Sequence, residues 1–367
     1  MKTLIHTAVI ALTMLVSSAS VEAQTVYSTM PDEAAAHEGT WLQWPHHYTY
    51  GSAYRNSLDA TWVAMTKALV GGEKVHIIAY NTTEKTRITA LLNKALVPLT
   101  NVTFLIRTTD DVWVRDNGPC FVRDTATNQL IVSDWGFNGW GFDTPYRKDN
   151  TVPSAVATAL GMPRVDVNDI VLEGGAFVMD GAGTFMATRS SILEPNRNPG
   201  LTQAELELEL TELLGARHFI WLDGADGGSE EITDMHIDGF ACFAPGGKMV
   251  TMSTADLTYW GVPAADITTL NNATDANGVR FTKVILPLTA KNVSTTSGRN
   301  LGYKGSYVNY YVGNKVVLLP AYSDTNDAVA QRLLAPLFPG RTVVLVNVRN
   351  LYENGGMIHC VTQQQPR

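Results

Sequence analysis

The sequence predicts an α/β fold of five ββα-type units around a central cavity, in the manner of a propeller. Helical and strand-like apolar spacings alternate along the chain, and no Pro- or Ser-rich linker separates them. Polar residues open strand-like runs roughly every 60 residues, a spacing near that of propeller blades, although chance spacing is the alternative. Units around one axis would bring these polar residues together. They are Asp116, Glu173, His236, Asn309 and Cys360.

The individual elements follow from apolar periodicity and turn residues. Five segments have the three- and four-residue apolar spacing of amphipathic helices, namely 60–70, 84–96, 153–160, 202–214 and 326–337. Three β-rich runs contain turn residues near their middle and therefore predict hairpins. These runs are 177–186 around Asp180-Gly181, 240–252 around Pro245-Gly246-Gly247, and 307–319 around Gly313-Asn314.

The first 23 residues have the pattern of a signal peptide. Lys2 provides a positive start, residues 4–16 are almost continuously apolar, and Val21-Glu22-Ala23 fits a small-x-small cleavage site. An N-terminal membrane anchor is the alternative, but the apolar run is short for a bilayer span. We therefore expect a secreted protein, extracellular or periplasmic. Residues 24–367 would form a single domain without a further membrane segment, and an oligomer is compatible with the sequence.

Net charge and cysteine content limit the possible ligands and the possible roles of the cysteines. The formal net charge is −8 at pH 7, and no Lys/Arg-rich run is present. This argues against nucleic-acid binding and favours cationic ligands. Three cysteines in an exported chain leave at least one unpaired. Cys120 and Cys242 lie in apolar strand-like runs, as buried thiols or as a disulfide pair, whereas Cys360 lies in a Gly-flanked segment.

The predicted central cavity would hold a thiol, an imidazole and several carboxylates. A cysteine attacks as the thiolate, and a nearby imidazolium or a cationic substrate would favour that anion. His236 and Asp238 are two residues apart, so on a strand both would project from the same face. Asp116 and Asp238 could grip a planar guanidinium, whose N–H groups match carboxylates. Glu173 could orient the imidazole.

Each of these features also has a simpler structural interpretation. A His-x-Asp pair is commonly a structural hydrogen bond, and Arg115-Asp116 can be a local ion pair. Glu173 can be a solvated loop acid, and tryptophans such as Trp113 are more often core residues than cavity lining. The catalytic hypothesis therefore depends on the combination of these residues.

The chain resembles the agmatine deiminase family, relatives of the peptidylarginine deiminases, over residues 30–366. Eight segments in the same order carry the resemblance. They are HEGTWLQWP at 37–45, WVRDNGP at 113–119, DWGFN at 134–138 with WG at 140–141, LEGG at 172–175, NRNP at 196–199, HID at 236–238, SYVN at 306–309 and GGMIHCVTQQ at 355–364.

The resemblance implies a fivefold pseudo-symmetric αβ-propeller, the pentein fold, and guanidinium hydrolysis without a metal or cofactor. It implies that Cys360 attacks the guanidinium carbon to form a covalent thiouronium intermediate. His236, oriented by Glu173, would protonate the departing ammonia and then activate water. The implied substrate-binding residues are Asp116, Asp238, Asn309 and Trp113.

Three positions depart from the family pattern. Met235 stands where members commonly have Gly, Asn117 where they have Thr, and Gly239 where they have Asn. All three flank catalytic positions. We therefore expect the chemistry to be retained and the part of the substrate beyond the guanidinium to be recognised differently.

The leading hypothesis is hydrolysis of agmatine to N-carbamoylputrescine and ammonia. The nearest alternative uses the same mechanism on arginine residues in peptides, giving citrulline, and suits an exported enzyme. A catalytically silent ligand-binding relative is a third possibility. A two-metal hydrolase would need clustered His and Asp ligands, and we expect no nearby acidic partner for His46-His47. A papain-type peptidase is disfavoured because His359 directly precedes Cys360 near the C-terminal end.

Overall fold

The computed structural model describes residues 25–225 and 231–367. The expected signal peptide, residues 1–23, lies outside the described residues. Within them the chain forms nine α-helices and 17 strands that alternate along the sequence. This confirms the predicted α/β class. None of the helices in the described ranges combines the length and apolarity needed to cross a membrane.

The strands are short and are distributed along the whole described chain. In order they are β1 (Ser28–Thr29), β2 (His37–Gln43), β3 (Lys74–Ala79), β4 (Val102–Ile106), β5 (Cys120–Asp124), β6 (Leu130–Gly136), β7 (Arg164–Val171), β8 (Phe177–Met179), β9 (Thr184–Thr188), β10 (His218–Leu222), β11 (Ala241–Ala244), β12 (Lys248–Thr251), β13 (Thr282–Ile285), β14 (Tyr311–Val312), β15 (Val316–Ala321), β16 (Thr342–Asn347) and β17 (Gln363–Pro366).

The helices vary from one turn to more than six. They are α1 (His47–Leu69), α2 (Thr82–Lys94), α3 (Val114–Asn117), α4 (Gly139–Phe142), α5 (Val152–Leu160), α6 (Gln203–Leu214), α7 (Thr254–Tyr259), α8 (Ala264–Asn272) and α9 (Asp327–Leu334). Short 3-10 turns add Asp149–Thr151, Ile237–Gly239, Ala335–Leu337, Tyr352–Asn354 and His359–Val361.

The described strands form five small sheets with one shared pattern. Their strand orders are β17-β2-β3-β4, β1-β5-β6-β7, β10-β9-β8, β11-β12-β13 and β14-β15-β16. Each sheet contains an antiparallel pair followed by a parallel strand, as in β11-β12-β13. The chain reaches that parallel strand through a helix, for example α6 before β10 and α9 before β16. In the first sheet the antiparallel pair joins β17 to β2, distant in sequence.

Local sequence signals explain where individual helices begin and end. Thr202 and Glu205 form a reciprocal capping box at the start of α6, and Gly215 ends it in the left-handed conformation. Leu206, Leu210 and Leu214, four residues apart, form its buried face. Burial of each such leucine contributes roughly 2 kcal/mol relative to exposure. The apolar core consequently lies between the helices and the sheets.

The structure confirms the three predicted hairpins as β8–β9, β11–β12 and β14–β15. The five predicted helices correspond to α1, α2, α5, α6 and α9. Helix α1 begins at His47, well before the predicted residue 60, with a kink where Gly51 has φ of 67°. Its first turns carry mostly polar residues, which hid them from an apolar-periodicity argument.

Two sequence inferences change in the structure. The His236–Asp238 segment is not a strand: residues Ile237–Gly239 form a 3-10 turn, with His236 directly before it. The possible disulfide is absent, since Cys120, Cys242 and Cys360 are all free thiols. The first two occupy strands β5 and β11, as their apolar surroundings predicted.

Candidate active site

Cys360 lies on the 3-10 turn His359–Val361, and its side chain is partly buried. Its Sγ is 3.5 Å from Asn309 Oδ1 and 4.0 Å from Asp238 Oδ2. The amide Oδ1 of Asn309 also accepts a hydrogen bond of 2.9 Å from the backbone N–H of His359. Asn309 therefore fixes the turn that carries the thiol as well as contacting the thiol itself.

Two buried carboxylates, Asp116 and Asp238, approach the same small region. Gly175 lies between them: a Cβ on this glycine would come within 2.8 Å of Asp116 Oδ1 and 3.0 Å of Asp238 Oδ2. The Gly175 N–H donates to Asp116 Oδ1 at 3.0 Å, and Trp140 Nε1 donates to Oδ2 at 3.1 Å. Gly175 is thus needed for close approach of backbone to this site.

His236 lies between two acids. Its Nε2 is 2.8 Å from Glu173 Oε2, and its Nδ1 is 3.7 Å from Asp116 Oδ1. Burial disfavours the imidazolium, but Asp116 and Glu173 outweigh burial and raise the pKa of His236 to about 9. The imidazole therefore carries a proton at neutral pH in the empty site and can act as a general acid.

The charges around the thiol hold it in the protonated form when no ligand is bound. Burial, and then the negative charges of Asp238 and Asp116, raise the pKa of the Cys360 thiol well above its usual range. Burial also raises the pKa of Asp116 to about 6, against the effect of His236. A cation bound between the two carboxylates would offset their charge and favour the thiolate.

Glu173 is fully buried, and its negative charge is paired with the guanidinium of Arg197. The guanidinium of Arg197 donates from Nε to Glu173 Oε1 at 2.9 Å, and its Nη1 lies 2.5 Å from Asp234 Oδ2. This pairing offsets the desolvation of Glu173 and leaves Oε2 for His236. The sequence placed Arg197 in a family segment, but nothing local indicated that it supports an acid 24 residues away.

Trp140 belongs to an unusual left-handed turn. Residues Gly139, Trp140, Gly141 and Phe142 all have positive φ, between 55° and 88°. Asn138 caps the turn by accepting from the Gly141 N–H at 2.9 Å. This strained conformation directs the Trp140 indole onto Asp116. Sequence reasoning missed this role because it depends on backbone geometry.

The predicted substrate-contact residue Trp113 is mostly buried and belongs to the main apolar core. Its ring packs edge-on against Trp140, with centroids 6.4 Å apart, and a Cβ on Gly356 would overlap it. Trp113 therefore forms a fixed wall beside the segment that leads to Cys360. Its contact with substrate stays a prediction.

Three further charged residues, unassigned by the sequence argument, lie behind Asp238. They are Glu33, Arg115 and His359. The Arg115 guanidinium is not a local ion pair with Asp116: its Nη2 lies 3.6 Å from Glu33 Oε2, and its Nε donates to the His359 carbonyl at 3.3 Å. They adjoin a surface cleft with about 650 Å³ of empty space, which includes open solvent.

One inference used against a metal site was wrong. His47 has an acidic partner, because its Nδ1 is 3.2 Å from Glu84 Oε1, contributed by α2. Folding brings the two together over 37 residues, a separation invisible to local inspection. Among residues 25–225 and 231–367, no three His, Cys, Asp or Glu side chains are grouped so that they could hold a metal ion.

Comparison with known proteins agrees with this geometry. The sequence profile of the Porphyromonas-type peptidyl-arginine deiminase family matches residues 29–366. The agmatine deiminase of Pseudomonas aeruginosa is 32% identical over 359 residues, covering 92% of this chain and 95% of that protein. The agmatine deiminase of Pseudomonas fluorescens is 33% identical over 360 residues, with the same coverage.

Solved structures give the same assignment. A structure of the Enterococcus faecalis agmatine deiminase superposes with a TM-score of 0.80 at 29% identity, covering 93% of this chain and 96% of that one. Both kinds of match extend over nearly the entire described chain, including all the site residues. The resemblance found in the sequence is therefore confirmed, and this chain belongs to the Porphyromonas-type peptidyl-arginine deiminase family, together with the agmatine deiminases.

Proposed function

We propose that this enzyme hydrolyses the guanidinium group of agmatine, giving N-carbamoylputrescine and ammonia, with Cys360 as the nucleophile. The names of its relatives support the substrate. The observation that carries the proposal is the pair of buried carboxylates, with Asp238 Oδ2 only 4.0 Å from the Cys360 Sγ. A guanidinium held between Asp116 and Asp238 would present its central carbon to that sulfur.

In the first half-reaction, binding of the cation favours loss of the Cys360 proton to solvent. The thiolate then attacks the guanidinium carbon and forms a C–S bond. His236, protonated in the free enzyme, donates its proton to the departing nitrogen, and the C–N bond breaks to release ammonia. The product of this step is a covalent thiouronium on Cys360, and His236 is left neutral.

In the second half-reaction, water replaces ammonia next to the neutral His236. The imidazole accepts a proton as the water oxygen attacks the thiouronium carbon, and the C–S bond breaks to release the ureido product. Cys360 leaves as the thiolate and takes up the remaining hydroxyl proton as the ureido carbonyl forms, so the thiol is restored and His236 is again protonated. Glu173 and Arg197 keep the imidazole oriented through both steps.

The matching family description favours a second substrate class, arginine residues in peptides, which would become citrulline. The chemistry at Cys360 would be the same, and the difference would lie in how the remainder of the substrate is accommodated. The departures at Met235, Asn117 and Gly239 flank catalytic positions and are the residues we expect to influence this choice.

We infer that the five sheets are the blades of a fivefold αβ-propeller and that residues 24–367 form one domain. The repeated antiparallel pair plus parallel strand supports this arrangement, as does the pairing of β17 with β2 that links the two ends of the chain. The convergence of Asp116, Asp238 and Cys360 from distant segments is what a central cavity requires.

We propose that the protein is exported after cleavage between Ala23 and Gln24. The basis is the sequence alone, with its charged start, apolar run and small-x-small site. Amino-terminal sequencing of the protein recovered from the periplasm or medium should begin at Gln24. Recovery of chains that begin at Met1 in the cytoplasm would contradict export.

The function is tested by measuring ammonia release from agmatine, free arginine and a peptide with a C-terminal arginine. Agmatine should give the highest kcat/KM, and higher turnover of the peptide would transfer the assignment to the second class. Cys360→Ser should abolish turnover. Asp134→Asn, which removes a buried acid paired with Arg164 on the β6–β7 sheet, is the control for general damage. No turnover of any of the three would leave a silent binding relative.

A further inference from the structure

The imidazole of His359 bridges two carboxylates from distant parts of the chain. Its Nδ1 is 2.7 Å from Asp238 Oδ2, and its Nε2 is 2.8 Å from Glu33 Oε2. Both His359 and Asp238 are buried, and Glu33 is partly exposed. The three side chains therefore form a continuous row that begins at the carboxylate beside Cys360 and ends at the surface cleft.

This geometry requires a charged imidazole. A neutral imidazole has one N–H, so one of the two contacts would place a nitrogen lone pair against a carboxylate oxygen. Two contacts below 3 Å are satisfied together when both nitrogens donate. Burial and Arg115 oppose the charge of His359, but Glu33 and Asp238 outweigh them and raise its pKa.

Glu33 is itself held firmly in place. Its Oε1 accepts from the Val312 N–H at 2.9 Å, and its backbone carbonyl is 2.7 Å from His37 Nε2. Arg115 adds a positive charge 3.6 Å from its Oε2. Although burial opposes its charge, His359 lowers the pKa of Glu33 to about 2. The acid therefore supplies a fixed negative charge to His359.

The contact with His359 also determines which oxygen of Asp238 is free. Oδ2 receives the imidazolium and faces the Cys360 Sγ at 4.0 Å. Oδ1 makes no hydrogen bond within the described residues, so it is available to an incoming N–H donor. Without the imidazolium, the carboxylate could rotate about its Cβ–Cγ bond, and either oxygen could turn from the thiol.

We propose that Glu33 and His359 are positioning residues for Asp238: Glu33 holds His359 in its doubly donating form, and His359 holds the Asp238 carboxylate in the orientation that receives the guanidinium. This assignment rests on the proposed function, because it assumes that a cation binds at Asp238. Partners that orient a ligating side chain commonly matter by tenfold or more, as known in metal sites.

The test uses two alkylating reagents of nearly the same shape. Chloroacetamidine is a cation that resembles the guanidinium, and chloroacetamide is its neutral counterpart. Each would transfer its CH₂ carbon to the Cys360 Sγ with loss of chloride. The ratio of their labelling rates, measured by mass spectrometry of the intact protein and mapped to Cys360, reports how well the carboxylates hold a cation. It does not require hydrolysis of any substrate.

We expect the wild-type enzyme to prefer the amidine, and Glu33→Gln and His359→Leu to reduce the ratio by about tenfold or more. His359→Asn should recover part of it, because its amide nitrogen lies near the position of Nδ1 and can still donate to Asp238. If His359→Leu does not fold, the labelling ratios of Glu33→Gln and His359→Asn test the proposal. The control is again Asp134→Asn, whose ratio should match the wild type.

A ratio unchanged within about twofold in folded Glu33→Gln and His359 variants would overturn the proposal, even if their stability fell. A wild-type ratio near one would also overturn it. Failure of the proposed function gives a different result: the amidine would still label Cys360 preferentially while agmatine is not hydrolysed. In the expected case, the same variants raise KM for agmatine more than they lower kcat, because ground-state cation binding is weakened.

Discussion

At the scale of single residues, the proposed function couples the charge of the substrate to the protonation state of the Cys360 thiol. Asp116 and Asp238 suppress ionisation of the Cys360 thiol when the site is empty. In the proposed function the same two acids would attract a guanidinium, and the bound cation would remove the suppression. A neutral analogue would fill the space without this effect. Selectivity for cationic substrates is therefore expressed in the reactivity of the sulfur as well as in affinity.

kcat/KM for agmatine should rise with pH, steeply below about pH 6 and less steeply up to about pH 9, because the reactive complex has lost the Cys360 proton that the free enzyme keeps. Asp116 has a pKa raised to about 6, so its binding charge is lost as the pH falls through that value. His236 has a pKa raised to about 9, so above that value the free enzyme has already lost one proton and kcat/KM should level off. Initial rates of ammonia release at low agmatine concentration report these free-enzyme values.

The flanking acids Glu173 and Asp238 interact with both Asp116 and His236. The two changes of slope in kcat/KM therefore belong to the whole cluster. A kcat/KM that continues to rise through pH 9 with an unchanged slope would contradict a protonated His236 in the free enzyme. If kcat/KM does not fall more steeply below pH 6, the role of Asp116 is contradicted.

Gly175→Ala should reduce kcat/KM by about a hundredfold or more with a smaller effect on stability. The added methyl would lie 2.6 Å from His236 Nδ1 and about as close to Asp116 and Asp238, so the groups must separate. Gly71→Ala is the matched control, because nothing lies within 4 Å of its added Cβ. Steady-state kinetics and a thermal melt of both variants provide the measurement. Unaltered kinetics in Gly175→Ala would refute the packed arrangement.

The sequence identified Cys360, His236, Asp116, Asp238 and Glu173 because each lies in a recognisable segment, and the structure brings them together. Glu33 could not be found in this way. It is a single acid in an N-terminal segment without a motif, and its partner is 326 residues away. Arg197 and His359 lay within family segments, but their roles depend on which acid each meets after folding.

At the scale of elements, the turn before His236 carries backbone strain. Asp234 and Met235 have φ of 52° and 68°, in the left-handed region that favours glycine. The Met235 carbonyl accepts from the Thr188 hydroxyl at 3.0 Å, which fixes the turn to the end of β9. The glycine that the family resemblance implies at this position would adopt the same conformation without strain.

Met235→Gly should be more stable than Met235→Ala by about 1 kcal/mol. Both variants lose the half-buried methionine side chain, but the alanine variant alone keeps the left-handed strain. At ordinary positions the order is reversed, since glycine costs roughly 0.5–1 kcal/mol relative to alanine. Urea denaturation of the pair measures the difference.

The control for this comparison is Ala90→Gly on the exposed face of α2, which should destabilise by about 1 kcal/mol. If Met235→Ala were the more stable of its pair, the left-handed geometry before His236 would be incorrect.

Elements with strong periodicity were predictable, and elements without it were not. The apolar spacing of α6 and the turn residues of the β11–β12 hairpin gave the correct assignments. Helices α7 and α8 were missed because they are short and contain many polar residues; α7 begins where the Ser253 side chain accepts from the Asp256 N–H. The strand assigned to His236–Asp238 was wrong, because two-residue alternation also occurs around a 3-10 turn.

At the scale of the whole molecule, the pairing of β17 with β2 connects the segment that bears the nucleophile to the N-terminal part of the chain. Gln363 aligns with Trp41, and the Gln365 side chain accepts from Trp41 Nε1 at 3.0 Å. All four β17 residues are buried. Cys360 lies three residues before β17, so the position of the thiol depends on this pairing.

Removal of residues 363–367 should destabilise the protein by at least about 3 kcal/mol, since several buried hydrogen bonds of about 1 kcal/mol each are lost. Activity should fall with it. Removal of Arg367 alone is the control. This residue is exposed and lies after β17, so its loss leaves the strand intact and should lower the free energy of unfolding by about 1 kcal/mol. Equal stability of the two truncations in urea would show that β17 contributes little.

The α/β class was accessible from the sequence, because helical and strand-like apolar spacings alternate along the chain. The pairing of β17 with β2 was not accessible from the sequence. Strand β17 reads Gln-Gln-Gln-Pro, which has low strand propensity, and it is ordered by its partner β2 and by side-chain contacts such as Gln363 Nε2 to the Pro119 carbonyl.

The unpaired state of all three cysteines has a consequence for their reactivity toward oxidants. Burial raises the pKa of both Cys120 and Cys242 to about 12, and the acids around Cys360 keep that sulfur protonated too. Peroxides and disulfides react with thiolates far faster than with thiols. Without bound substrate the three thiols would therefore react slowly with oxidants, and the Cys360 thiolate would form only while a substrate occupies the site and shields it.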